Sequence, residues 1–319
     1  MHANLAAHSA MSVKTKQNYV AAIDLGSNSF HILVAEFIDG QMQPVHCWGE
    51  KIQLAEGLDR SSYLSEAAKT RARDCLGRFA EAIVGVAPDR VRVVGTDALR
   101  RAADQEAFVA EVESLLGVSV QVISGEQEAH TIYQGVVGGK RARQQAIPES
   151  MLIVDIGGGS TELVLGKGVD VVACASLPLG CVSYSQQFFP QQISDKSSFE
   201  QSLQAIRDEL VPIRETYVST NWQQAVGTAG TALAIEEILQ ALGWGVSGID
   251  RHNLERLADV LCQGESIAAL QLPGLSEERF DIITAGVAIM LAVFQVFDIG
   301  VLETSVDSLR EGLIYSFQP

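Results

Sequence analysis

The sequence predicts an α/β protein made of two copies of one domain, with a cleft between them. The strongest sign is internal repetition. Residues 23–34 (IDLGSNSFHILV) and 154–165 (VDIGGGSTELVL) share one pattern: apolar, Asp, apolar, Gly, two small residues, Ser, two further positions and an apolar run. Strands and helices also alternate along the first half, as in a layered α/β domain whose functional loops lie at strand ends. A chain of 319 residues is long enough for two domains of ordinary size.

Each copy of the repeat reads as a buried strand ending in Asp, a tight small-residue turn and a second strand paired back on the first. Asp39-Gly40 turns the chain again, and 45–54 reads as a third strand. Ser65 opens a helix through Val84, with Leu76, Phe79 and Ile83 at helical spacing. A short strand at 91–96 leads to a loop at Asp97, a helix covers 106–116, a strand covers 118–123, and 129–137 is helical. The polar stretch 138–150, with Lys140, Arg141 and Arg143, lacks apolar periodicity and reads as a solvated hinge. The expected division is therefore a tail over 1–18, a first domain over 19–137, that hinge, and a second domain over 151–319 whose last helix packs back on the first. Met11 is an alternative start to Met1.

In the second half, 225–232 (AVGTAGTA) reads as strand, Gly/Thr turn and helix start, a further phosphate cradle. The apolar run 282–297 is shorter than the ~20 residues that span a bilayer, so it reads as a buried helix and no membrane partner is expected. The first eighteen residues have no apolar core of a secretory signal. A net charge of −16 argues against general nucleic-acid binding, which needs a basic footprint. Five cysteines without a C-x-x-C pair suit a reducing compartment, with the cytoplasm as the expected location.

The repeat also carries chemistry. Gly and Ser in a tight turn leave backbone N–H groups uncovered to close on phosphate oxygens. Ser27, Asn28 and Ser29 on one side, and Gly157, Gly158, Gly159, Ser160 and Thr161 on the other, are the donors expected around a terminal phosphate, with Gly227, Thr228 and Gly230 from the third turn. Asp24 and Asp155 end their strands beside that anion and are candidates for hydrated Mg2+, whose usual environment is a carboxylate plus substrate phosphates. Arg100 and Arg279 are candidates for distal phosphates, because a guanidinium grips two oxygens at once. Glu162 interrupts an apolar strand, where a lone carboxylate is costly without a task. Glu126 and Glu128, on their own, read as well as glutamates favouring a helix N-terminus. His31, at the position matching Glu162, reads as a strand residue with a satisfied hydrogen bond.

Seven blocks, 23–34 (IDLGSNSFHILV), 94–100 (VGTDALR), 123–129 (ISGEQEA), 154–163 (VDIGGGSTEL), 177–182 (LPLGCV), 227–231 (GTAGT) and 309–315 (LREGLIY), resemble the exopolyphosphatase/guanosine pentaphosphate phosphohydrolase (Ppx/GppA) family, in that family's order. The resemblance implies two ribonuclease-H-like domains flanking a catalytic cleft, as in the actin, Hsp70 and sugar-kinase superfamily, in the short two-domain form. It implies magnesium-dependent release of a terminal phosphate by water, with a monovalent cation as a further candidate cofactor. Glu128 falls on the family's catalytic glutamate and Glu162 on its second important carboxylate. Inorganic polyphosphate is the substrate expected first, and the 5′ end of guanosine pentaphosphate (pppGpp) is the alternative; a homodimer is left open. A sugar-kinase-like phosphotransferase and a non-catalytic pppGpp-binding protein are the remaining readings.

Overall fold

The computed structural model describes residues 18–58 and 61–318; of the tail expected over 1–18, all but Asn18 lies outside them, as do both candidate starts. The first half runs β1 (Tyr19–Leu25), β2 (Ser29–Ile38), β3 (Gln41–Lys51), α1 (Glu66–Ile83), β4 (Val91–Gly95), α2 (Asp97–Arg101), α3 (Gln105–Leu116), β5 (Val120–Val122) and α4 (Gly125–Ala142). Its sheet has the order β3-β2-β1-β4-β5, with β1 antiparallel to β2 and parallel to β4. The second half runs β6 (Ser150–Ile156), β7 (Thr161–Lys167), β8 (Asp170–Leu177), α5 (Cys181–Phe188), β9 (Ile193–Asp195), α6 (Lys196–Leu210), α7 (Arg214–Tyr217), β10 (Gln224–Thr228), α8 (Ala229–Ala241), β11 (Ile249–Asp250), α9 (Arg251–Leu261), β12 (Gln263–Ser266), α10 (Ile267–Leu270), α11 (Ile283–Phe297), β13 (Val301–Thr304) and α12 (Leu309–Tyr315).

The second sheet has the order β8-β7-β6-β10-β13, with β11 added at its edge. Strand for strand this repeats the first sheet, so duplication extends from the hairpins to the whole topology. It also aligns β4 and its Val94-Gly95-Thr96 end with β10 and Val226-Gly227-Thr228, a repeat the sequence carries plainly.

Each half has an apolar core. In the first, α1 lays Leu76, Phe79 and Ile83 on the sheet, and Ser65 caps it by accepting from the Ala68 N–H. In the second, α11 is buried along nearly its whole length, as expected of the 282–297 run. A third cluster lies between the sheets: Val20, Ala22 and Leu33 from the first, Met151 and Ile153 from the second, and Ile132, Val136, Leu313 and Ile314 from α4 and α12. Each fully buried Val, Leu or Ile there contributes about 1.5–3 kcal/mol.

Two boundaries differ from expectation around α4. The helix begins at Gly125, because Ser124 and Gln127 form a reciprocal capping box, so Glu128 sits in the first turn and not in a preceding loop. At the other end it runs through 138–142, the first residues of the expected hinge. Gly135, Gly138 and Gly139 let α12 approach closely: an added Cβ would strike the Ser308 carbonyl, the Tyr315 ring and the Asp307 carboxylate in turn. Arg143 then pairs with Asp307. The polar character of this stretch thus serves a helix crossing, and the connection between the halves shortens to 143–149.

Candidate active site

The two repeated turns face one another. The Asp24–His31 pair in the first hairpin occupies the register position that Asp155–Glu162 occupies in the second. The Ser27 hydroxyl accepts from the Ala98 N–H (3.1 Å), and the Asn28 carbonyl accepts from Ile52 and Gln53, which fixes the first turn from both sides. In the second, Gly157 N–H donates to the Ser160 carbonyl (2.9 Å), while the Gly157 and Gly158 carbonyls accept from Cys181 and Val182 at the start of α5. A Cβ at Gly158 would meet the Asn28 backbone nitrogen at 3.0 Å, so the turns lie in contact.

They form the floor of a cleft of about 270 Å³ between the halves. Asp24, Ser27, Asn28, Ser29, Glu128, Asp155, Gly157, Gly158, Gly159, Ser160, Gly230 and Arg279, expected from the sequence, all line it. Arg279 lies against Gly230, where a side chain would collide with the guanidinium. Ala229 opens α8 with a φ of 58°, strained for a residue with a Cβ, and lines the cleft together with Gly230 and Thr231.

Five expected residues do not line it. Arg100, expected on a phosphate, instead donates to Glu128 Oε2 (2.7 Å) and to the Ile123 carbonyl (3.0 Å), so its guanidinium is spent holding that glutamate. Thr161 is fully buried and donates to the Leu179 carbonyl; Gly227 lies beneath Leu302; Thr228 donates to Asp155. These three shape the cleft from behind. Glu162 lies under the floor, where it accepts from the Ser176 hydroxyl (2.7 Å). His31, expected with a satisfied hydrogen bond, has no side-chain bond among the described residues and lines the cleft, 4.0 Å from Asp24; burial and then Arg310 and Arg279 push its pKa down to about 3, so it is neutral.

Two contributors were missed: Ser308, whose hydroxyl donates to Asp155 Oδ2 (2.7 Å), and Arg310, whose charge reaches Asp24 and His31. Both come from the segment entering α12. The LREGLIY block contained Arg310, but nothing local says that it returns to β1.

Burial dominates the electrostatics. It pushes Asp24 up to about 7, opposed by Arg310 and aided by Asp155 and Glu311. Asp155 is raised against the hydrogen bonds from Thr228 and Ser308. Burial raises Glu128 to about 8 despite Arg100, and lifts Glu162 well above the carboxylate range with help from Glu128 and Asp155. Such a concentration of acid favours a cation. Asp24 Oδ1 and Asn28 Oδ1 are buried without a hydrogen-bond partner, which fits a metal ion or its water shell.

Known proteins resemble the chain in sequence and fold. The sequence model of the Ppx/GppA phosphatase family matches residues 33–319. Proteins named guanosine-5′-triphosphate,3′-diphosphate pyrophosphatase are similar to the chain: that of Vibrio vulnificus is 39% identical over 298 residues, covering 92% of this chain and 58% of the relative. That of Pseudoalteromonas translucida is 39% identical over 311 residues, covering 96% and 61%. The chain thus spans about three fifths of these relatives. The solved Aquifex aeolicus PPX-GPPA enzyme is 27% identical with a TM-score of 0.76, covering 93% of this chain and 99% of that one. An exopolyphosphatase from Cytophaga hutchinsonii, 23% identical with a TM-score of 0.81 over 93% and 97% of the two chains, supports the fold. The duplicated strand order, the facing Asp-x-Gly turns and these matches lead to one conclusion: the chain belongs to the Ppx/GppA phosphatase family.

Proposed function

We propose that the protein hydrolyses the terminal phosphoanhydride of guanosine 5′-triphosphate 3′-diphosphate, with inorganic polyphosphate as the second substrate. The observation that carries the hydrolytic part is the pair of facing turns above a buried carboxylate cluster that includes Glu128. The relatives named for guanosine-5′-triphosphate,3′-diphosphate support the nucleotide over polyphosphate and reverse the order expected from sequence.

Phosphoryl transfer to water asks a protein for positioning and charge neutralisation more than for covalent work. The amides and hydroxyls of 27–29 and 158–160 bind the equatorial oxygens of the terminal phosphate, and Arg279 and Arg310 take the charge of those behind it. Glu128 accepts the proton of the attacking water; its pKa, raised toward the working pH, suits a general base, and Arg100 fixes its orientation. Glu162 lies behind Glu128, its pKa lifted first by burial and then by the Glu128 charge. Asp24, Asn28 and Asp155 would hold Mg2+, which when bound supplies charge neutralisation to the phosphates. Glu128→Gln keeps shape and removes proton acceptance, so turnover is expected to fall by about 10²- to 10⁴-fold.

Steady-state kinetics at fixed Mg2+ test the substrate. The expected outcome is a kcat/KM for pppGpp above that for polyphosphate counted per chain end. The reverse order restores polyphosphate as the principal substrate, and wild-type turnover in Glu128→Gln removes it as the base.

A further inference from the structure

Among the described residues, one cluster of metal-ligating side chains lies outside the cleft. Glu126 and His130 stand one turn apart on the same face of α4, and Cys174 of β8 meets them across the helix–sheet contact. One ligand atom from each lies within 4.8 Å of the other two, and none of the three is fully buried. From these positions we propose a second cation site, for a borderline transition metal of the Zn2+ class, that ties α4 of the first half to β8 of the second.

The ligand chemistry selects the metal. A thiolate, an imidazole and a carboxylate are a zinc or cobalt set, with water from solvent in the fourth position; magnesium and calcium take oxygen ligands and gain little from sulfur. In a tetrahedral zinc site, bonds of about 2.0–2.3 Å set neighbouring donors about 3.3–3.8 Å apart, so side-chain rotation by about an ångström closes the present cluster. Binding breaks the S–H bond of Cys174 and forms a metal–sulfur bond, with the proton released to solvent.

The frame around the cluster is rigid, which lets two elements act as one site. The capping box at Ser124 and Gln127 fixes the first turn of α4. A Cβ at Gly125 would strike the Ser176 side chain, so helix and strand are already in tight contact there. Two turns further along, the Tyr133 hydroxyl donates to the Gly168 carbonyl (2.9 Å) and its ring lies over Gly166. Glu126 is two residues from Glu128, and Cys174 is two residues from Ser176, the partner of Glu162. A metal on the outer surface would therefore clamp the two backbones that carry the catalytic pair. The site stands on its own geometry, whichever substrate the cleft takes.

Co2+ is the probe, because tetrahedral thiolate coordination gives a sulfur-to-metal charge-transfer band. Titration of the full chain in excess Mg2+ is expected to give this band saturating at one equivalent and displaced by Zn2+. It should vanish in Cys174→Ser, persist in Cys47→Ser and Cys262→Ser, and require more than about tenfold more cobalt in His130→Ala, a surface change that does not threaten the fold. A band that survives Cys174→Ser, the absence of any thiolate band in the wild type, or an unchanged titration in His130→Ala overturns the site.

Discussion

Asp24 shows what it costs to bury a carboxylate in the cleft. Its pKa rises to about 7 in the folded chain against 3.8 for the free side chain, and one of its oxygens has no partner. A carboxylate raised on folding favours the folded state fully below its unfolded pKa. That contribution disappears as pH climbs through about 4 to about 7. The metal-free protein should therefore lose stability across this interval, with Glu128 extending the loss to about 8. Asp24→Asn removes the charge and keeps the shape. Because Asp24 is half-buried, we expect the variant to gain about 1–2 kcal/mol over the metal-free wild type at pH 8 and nothing at pH 4, while losing activity. Thermal melts at the two pH values, with and without Mg2+, check this. A variant less stable than wild type at pH 8 without metal would show that the Asp24 charge is already compensated within the protein.

At the level of elements, the crossing of α4 and α12 sets the site. Gly135 and Gly139 on one helix and Gly312 on the other bring the backbones together, with a Cβ at Gly312 striking the Thr131 carbonyl. This contact places Ser308 on Asp155 and Arg310 in the cleft. Gly135→Ala must displace the Ser308 carbonyl, which is backbone and yields only by moving the helix. It should cost about 1–3 kcal/mol and reduce activity beyond what lost stability explains. Urea melts and kinetics on the folded fraction separate the two effects. Wild-type kinetics would mean that α12 tolerates displacement. The same crossing explains which parts of the protein the sequence made legible. The hairpins could be read because strand, Asp and small-residue turn are contiguous, and Glu128 because its block is contiguous too. Ser308 and Arg310 act on strands some 150 and nearly 290 positions earlier in the chain. The glycines and charges at 138–143 mimic a linker until α12 is present to receive them. Arg100 was assigned to phosphate because Glu128, its partner, is 28 residues away and nothing in either segment announces the contact.

Across the whole molecule, two of the contacts between the halves differ in character. The α4/α12 layer is apolar and continuous with both sheets, while beside the cleft Lys51 donates to Asp281 (2.7 Å) and to the Glu278 carbonyl (2.7 Å), with Gln53 adding a longer contact. An apolar layer is costly to separate and suits a pivot; a partly exposed ion pair contributes little stability and suits a latch. Lys51 leads out of β3, and the segment containing Asp281 also carries Arg279, so opening the latch would withdraw Arg279 from the phosphate site. This arrangement predicts that the halves rotate about α4/α12 and the short 143–149 connection, and that substrate draws them shut. The net charge of −16 opposes polyanion capture at long range, which leaves Mg2+ and the local arginines to provide the attraction. Lys51→Ala should then widen the substrate-free molecule in small-angle scattering, raise KM several-fold and leave kcat near wild type, because the closed complex still assembles the same groups around the phosphate. Scattering and KM both unchanged would place the restraint on opening in the apolar layer, and a fall in kcat with KM unchanged would make Lys51 part of the reacting geometry instead of the latch.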